Sequence, residues 1–559
     1  MNRSYRPQLH NLLIVAIASV LSCGDAGFDS ESPGNFQNNQ NGGSDFNNTT
    51  GNNQSPNNAT NNTAPFVPEE ETFLVRQLAT TDNYVFIPNS SELANTVARV
   101  DARTLEVQPI RVGLRPTEIV ATQLDVGAVA YVLCKGANTI SIIRADLPAR
   151  TGTGMGDVRP LRVPSEINAL ALAPDGKHLL AYIDPAKPFD GGGIASLQVL
   201  SLIRLSDTPG EDQVFNLSVT RLIRDIEFTS TGQAFLVGQE GVNRITLNAV
   251  TGDSLIARLE LGLDTSVFPP TDFEIEVDPE GTYMVARSSS FAGIAIFGLD
   301  ANGVTSRRII ELDGIPTDID LVQGLQGAQD NVLVTIRDRN QIAVISVEEA
   351  LTTPEEDPLD FDVYEVGNEA GLAQITPDQQ SALLYSTLPL LPTLSVFNFA
   401  TETLESYALR NQIRSVVVAP NSQSAVVVHK RQENALSGID GTFQNSEGLT
   451  LIDLNTGYRR PVFLQAEPLD VIMTEGTDAT LVYVMLASSV DSRRGVMRLD
   501  LDTFRSDFVA LPAQPNRLGR VGDKIFVSQE SDDGRITFFD IETNAQRTIS
   551  GYELNAGIN

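Results

Sequence analysis

The sequence of 559 residues predicts an all-β fold, a single β-propeller of about seven to ten four-stranded blades. The first observation is a recurring turn. Signals resembling Asp278-Pro279-Glu280-Gly281 occur at Ala173-Pro174-Asp175-Gly176, Thr229-Ser230-Thr231-Gly232, Thr376-Pro377-Asp378-Gln379 and Ala419-Pro420-Asn421-Ser422. Their second residues stand at 174, 230, 279, 377 and 420, so the gaps are 56, 49, 98 and 43, the 98 holding two periods with a degraded copy near Leu321 to Asp330. The second observation is a series of ten short β-rich runs, often leading into an acidic residue. They lie at Thr96–Asp101, Thr139–Ile143, Leu197–Leu200, Arg244–Leu247, Ile294–Phe297, Ile342–Val347, Leu394–Phe397, Leu449–Asp453, Val496–Asp500 and Ile536–Asp540, with starts spaced by 40 to 58 residues. The third is that each period divides into four strands, as at Ile167–Ala173, His178–Ile183, Ala195–Leu202 and Gln213–Val219. Independent β-sandwiches would restart about every hundred residues instead.

The chain begins with the three parts of an export signal. Arg3 and Arg6 are basic, Leu12 to Leu21 is apolar but too short to span a membrane, and Val20-Leu21-Ser22-Cys23 is a small-residue cleavage site. Residues 1–22 are therefore expected to be removed. V-L-S-C resembles the bacterial lipobox, which implies acylation of Cys23 and a stable anchor once several chains are attached. Gly24 after the cysteine points to the outer membrane by the enteric sorting pattern. The other reading of the same residues is an ordinary signal peptide whose cleavage site contains a cysteine.

Residues 23–72 are rich in Asn, Gly, Ser and Thr, and so polar a tract cannot offset the entropy of ordering. It is expected to be a disordered tether, roughly 50 residues long, holding the remainder on the order of 40 Å from the lipid. Matches to Asn-X-Ser/Thr at Asn47 and Asn58 are expected by chance there.

Residues 73–559 are the repeat array. Within it Pro270–Gly281 shows the unit at its plainest: Phe273, Ile275 and Val277 alternate with Asp272, Glu274 and Glu276, and the turn follows. Composition limits what the array can do. A net charge of −32 disfavours nucleic acid and favours cationic partners or plain solubility. Only Cys23 and Cys134 are present, so there is no disulfide framework and no CxxC pair.

The stretch Asn95-Thr96-Val97-Ala98-Arg99-Val100-Asp101, Thr104 to Val107, Ile110 to Gly113 and Pro116 resembles the YVTN-type propeller repeat, N-x-V-x-V-I-D followed by a turn and V-x-x-I-x-V-G-x-x-P. Ala171 to Lys177 is similar to that family's strand ending in S-P-D-G-K, and Tyr84 to Asn89 echoes its name-giving segment. The match is good over Tyr84 to Leu180 and declines to spacing and turn residues beyond. The resemblance implies the fold and leaves function open.

Enzymes of this architecture can be weighed against the residue inventory. Tryptophan is absent, so neither a WD-type repeat nor a tryptophan-derived quinone is possible, and no C-x-x-C-H haem attachment occurs. After the leader only His178 and His429 remain, too few for a copper cluster. A Ser-His-Asp triad would need one of them, and both read as surface or turn residues. Cys134 reads as a small buried strand residue. A lactonase-like propeller hydrolase working with carboxylates and a cation is the enzymatic alternative left.

The remaining signal lies at the start of the first strand of each period. Pro116-Thr117-Glu118, Pro164-Ser165-Glu166, Ile223-Arg224-Asp225, Pro270-Thr271-Asp272, Pro316-Thr317-Asp318 and Pro468-Leu469-Asp470 align, each with a carboxylate in third place. Glu227, Glu274 and Asp320 follow two residues later in three of them, beyond apolar Ile226, Phe273 and Ile319. First strands line a propeller's channel, so these acids are expected to ring one mouth and to suit calcium or a basic ligand group. The plainer expectation is that each accepts a local backbone N–H and stays solvated. The function expected is thus binding of a protein or small molecule by a lipid-anchored module of the cell envelope. The acidic run Pro354–Asp362 reads as a solvated loop.

Overall fold

The computed structural model describes residues 79–552, apart from the segments 90–92, 147–157, 188–198, 209, 220–221, 239–240, 252–255, 270–272, 325–328, 368, 389–391, 433–438 and 477–478. The leader, the tether and Cys23 lie outside the described residues. No helix among the described residues is long and apolar enough to cross a membrane, which says nothing of crossing by strands.

The described chain is a ten-bladed β-propeller. Ten antiparallel sheets follow one another, each with its strands in chain order, and nine of them have four strands. Blade 1 has three named strands, Tyr84–Pro88, Thr96–Asp101 and Val107–Arg111, and the isolated bridge between Thr80 and Val85 stands where its first strand would be. All ten β-rich runs of the sequence are third strands, from Thr96–Asp101 in blade 1 to Arg535–Asp540 in blade 10. The degraded copy is blade 6, whose first strand is Asp318–Val322.

The acidic residues that end many of those runs are turn caps. Asp101, Asp453, Asp500 and Asp540 each accept backbone N–H groups two or three residues on, such as Thr104 at 3.2 Å and Thr503 at 2.8 Å. They close the hairpin into the fourth strand. The Pro-Asp-type turns close the first hairpin: buried Asp278 accepts the N–H groups of Thr282 at 2.6 Å and Tyr283 at 2.8 Å. Neighbouring turns then join, Ser230 donating its N–H to the Pro279 carbonyl at 2.6 Å.

The core lies between blades. Ten clusters of buried residues each straddle one pair of neighbours, as Val285 and Ile296 of blade 5 pack on Ile319 and Val334 of blade 6. The pair formed by the last and first blades has its own cluster, Val85, Ile87 and Val100 with Val521, Phe526 and Phe538. Among the described residues the ring therefore closes through side chains, blade 10 keeping its own four strands from Pro515 to Ser550. First strands of successive blades lie against one another, as in blades 5, 6 and 7, and form the inner wall.

Candidate functional site

The aligned third position coincides with a backbone irregularity. Register shifts between Pro116 and Glu118, Ile223 and Asp225, and Pro468 and Asp470 mark a β-bulge at the start of the first strand in blades 2, 4 and 9. The same shift occurs before Ser415 in blade 8 and Arg517 in blade 10, where the residue is no longer acidic. A bulge re-aims the side chain that follows it, so the recurrence has a backbone cause as well as a chemical one.

The six predicted residues then part company. Glu118 is held by Lys187, whose Nζ lies 2.9 Å from both carboxylate oxygens. Glu166 is half-buried in a turn ahead of the first strand of blade 3, Ala169–Leu172. Buried Asp470 accepts the N–H of Val471 at 2.8 Å, and Asp225 accepts that of Ile226 at the same distance. Asp272 lies outside the described residues. Asp318 reaches across to blade 7 and accepts the Ala373 N–H at 2.8 Å. Local N–H acceptance thus applies to Asp225 and Asp470, while Asp225 and Asp318 belong to something larger.

That larger feature is an acidic wall on blades 4, 5 and 6. The first strands Ile223–Phe228, Phe273–Val277 and Asp318–Val322 carry three i, i+2 pairs, Asp225 and Glu227, Glu274 and Glu276, Asp318 and Asp320. Buried Ile226, Ile275 and Ile319 between them are anchored in the inter-blade clusters, which fixes the acids on the opposite side. Burial pushes the Asp225 carboxyl up to about 6, with the Glu274 charge adding to the effect. Burial and then Glu274 push Asp318 up to about 7. Glu276 is raised well above the usual carboxylate range by burial and by the charges of Glu227, Asp320, Glu274 and Asp318. Asp320 is raised likewise by burial, Asp318 and Glu274.

Two guanidinium groups offset part of this charge. Arg287 stands opposite Glu274 across the hairpin, pairs with its carboxylate, and donates to the Pro316 carbonyl of blade 6 at 3.2 Å. Arg224 donates to the Phe273 carbonyl of blade 5 at 3.4 Å. Six carboxyl groups face two guanidinium groups, so the acids outnumber their counter-charges, and Asp320, 8% exposed, has an Oδ2 with no hydrogen-bond partner. Sequence reasoning missed Arg224 and Arg287; the available signal was a charge inside an otherwise buried strand, Tyr283–Ser288. Among the described residues no three Asp, Glu, His or Cys side chains are placed to hold a metal ion together.

The residues weighed for nucleophilic chemistry are all buried. His429, predicted at the surface, is buried in blade 8, its Nδ1 facing the Asn411 and Gln412 carbonyls and its Nε2 2.7 Å from the Thr450 hydroxyl. Burial pushes its imidazole down to about 4. His178 is also buried, at the start of a second strand, with Nδ1 2.6 Å from the Asp175 carboxylate. Both histidines fill strand positions where each finds a polar partner, Thr450 in the neighbouring strand for His429 and the turn residue Asp175 for His178. Cys134 is fully buried, as expected, and burial raises its thiol.

No family profile matches the chain, and no curated protein matches it in sequence. Among solved structures it is similar to dihydro-heme d1 dehydrogenase NirN in complex with DHE, at 9% identity over 88% of this chain and 79% of that one, with a TM-score of 0.39. It is similar to apo AztD from Citrobacter koseri at 13% identity over 68% and 94%, TM-score 0.35, and to a eukaryotic initiation factor at 12% over 79% and 98%, TM-score 0.48. Likenesses this distant carry nothing about ligand or reaction, and the fold stands on the sheet topology alone.

Proposed function

We propose that this chain is a binding module, a propeller tethered to the bacterial cell envelope by lipid on Cys23, which holds a cationic ligand against the acidic wall of blades 4 to 6. The YVTN-type repeat is the sequence form we assign to its first blades. The observation that carries the ligand class is Asp320, a carboxylate more than nine-tenths buried, with one oxygen unpartnered, among five other acids. A group kept out of water and left without a donor costs free energy that an incoming cation would recover. With no ready-made three-ligand metal cage among the described residues, charge and hydrogen bonding suit a basic organic group or a hydrated ion better than a chelated one.

The test is calorimetric titration of the full chain with calcium chloride and with spermidine, compared with Glu227→Gln/Glu276→Gln/Asp320→Asn. Binding of either probe that is lost in the triple variant supports the reading; no binding, or equal binding by the variant, overturns it. A lactonase-like hydrolase is the second reading, favoured by Asp318, whose carboxyl at about 7 is poised for proton transfer near neutrality. Lactone hydrolysis that disappears in Asp318→Asn would replace the binding reading with it.

A further inference from the structure

The acids of the wall lie in two tiers, and the tiers are unequally satisfied. Counted back from the equivalent turn residues Thr229 and Asp278, Glu274 stands level with Asp225 and not, as the alignment of strand entries expects, with Glu227. Asp225, Glu274 and Asp318 thus form one tier, Glu227, Glu276 and Asp320 the other, and residues two apart on a strand are separated by about 7 Å. In the first tier Glu274 holds the Arg287 guanidinium, Asp318 holds the Ala373 N–H and Asp225 holds the Ile226 N–H. In the second, Asp320 Oδ2 has no partner, and Glu276 is flanked by the charges of Glu227 and Asp320. The wall thus presents two layers of carboxyl groups, one supplied from within the protein with nitrogen donors and one in which Asp320 Oδ2 is left without a donor.

We propose that the acidic wall takes an aliphatic diamine or longer polyamine, whose two ammonium groups, about 7 Å apart, engage one tier each. This rests on the cationic-ligand reading above and narrows it. An ammonium group presents three donors to several oxygens without the fixed short coordination a metal demands. The chemistry already seated at Glu274, a guanidinium nitrogen on a carboxylate, is of the same kind. A monoamine can satisfy only one tier, whereas a four- or five-carbon diamine reaches both, and linking the two contacts makes the second intramolecular. Among the described residues, the groups that face the second tier are Glu227, Glu274, Glu276, Asp318 and Asp320, with Arg287 at its edge.

The experiment titrates the full chain calorimetrically with putrescine, cadaverine, butylamine and calcium chloride at about pH 8, above the values of about 6 and 7 at which Asp225 and Asp318 titrate. The two diamines should bind about tenfold or more tighter than butylamine. Asp320→Asn and Glu276→Gln, each near-isosteric and each checked for an unchanged melting profile, should remove that advantage. Glu355→Gln/Glu356→Gln, on an exposed loop, should keep it, which separates the site from the chain's general negative charge. Diamines no tighter than butylamine, or binding untouched by Asp320→Asn and Glu276→Gln, overturn the proposal. Calcium binding that those variants abolish, without a diamine advantage, would leave the cationic site standing and sink the diamine alone; no binding by any probe would sink both.

Discussion

The carboxylate of Asp318 in blade 6 accepts the backbone N–H of Ala373 in blade 7 at 2.8 Å, so one member of the acidic wall also ties two blades together. Its burial, near Glu274, holds the carboxyl up at about 7, which means the contact is made by a group that is costly to ionise. Asp318→Asn keeps an acceptor and removes the charge; at about pH 8 it should unfold at an equal or higher urea concentration than the parent. Asp318→Ala leaves the Ala373 N–H without its partner and should cost about 1 to 3 kcal/mol. An alanine variant as stable as the asparagine one would show that the N–H finds another acceptor.

The wall also sets a pH dependence. Asp225 and Asp318 titrate in the folded chain at about 6 and 7, whereas unfolded carboxyls titrate near 4. Between those values the folded state binds more protons than the unfolded one, so stability is full below about 4 and is lost as pH rises through 6 and 7. Turn caps act in the opposite sense. Hydrogen bonding from Arg103 holds Asp101 below the usual range and that from Thr543 holds Asp540 there, so their contribution is present above about 4 and lost on acidification. The melting temperature of the unliganded chain should therefore peak near pH 5 and fall towards pH 8, and Glu276→Gln/Asp320→Asn should flatten the alkaline side. A monotonic rise to pH 8 would contradict the burial of the wall.

What could be read from the sequence followed from local chemistry. The ten third strands were legible because an alternating apolar run and its capping Asp lie within a few residues of each other, as at Leu449–Asp453. Blade count was less so, since the turn of blade 6 has lost its signature; Gln379 and Ser422, at φ of 61° each, take the left-handed place that Gly176 and Gly281 fill elsewhere, and their turns were still recognisable. The burial of His178 and His429 was not legible at all. Each depends on a partner supplied by the fold, Thr450 for His429 across two strands and the turn residue Asp175 for His178. The acids of the wall were found as a pattern along the chain, but a pattern cannot say that Glu118 meets Lys187 while one oxygen of Asp320 finds no hydrogen-bond partner, because both facts are set between segments far apart in sequence.

A second bridge between blades is buried and charged. Asp212, just ahead of the outer strand of blade 3, accepts from Arg144 of blade 2 at 2.6 Å and from the Ser206 N–H at 2.9 Å, with Arg159 3.5 Å away. Removing the acid leaves the Arg144 guanidinium buried without its counter-charge, and breaking such a pair from one side costs about 3 to 5 kcal/mol. Asp212→Ala should lower the denaturation midpoint far more than Lys177→Ala, which breaks only the exposed pair with Asp207. Equal effects would mean that the buried pair is dispensable.

The seam between blades 10 and 1 differs from the other nine in one respect: among the described residues no chain segment runs across it. Elsewhere the fourth strand of one blade leads directly into the first strand of the next, and that short connection keeps the two blades close even when their packing loosens. Among the described residues, side chains and close backbone approach hold the ring shut at the seam, with Phe526 and Phe538 packed on Val85 and Val100. Gly522 sits at the tip of the first hairpin of blade 10 with φ of 53°, and a Cβ there would lie 2.8 Å from the Asp82 carbonyl of blade 1. Gly522→Ala therefore combines left-handed strain of about 1 to 2 kcal/mol with a clash against backbone that cannot step aside. Its effect should be local first. Amide exchange in Tyr84–Pro88 and Lys524–Gln529 should accelerate while the second strands of blades 5 and 6 stay protected. Phe538→Ala, which removes a buried ring from the same cluster, should reproduce that pattern at a cost of about 3 to 5 kcal/mol. Faster exchange spread evenly over all ten blades would show instead that the ring opens as one unit, and that side-chain packing alone makes the seam as strong as any joint the chain itself crosses.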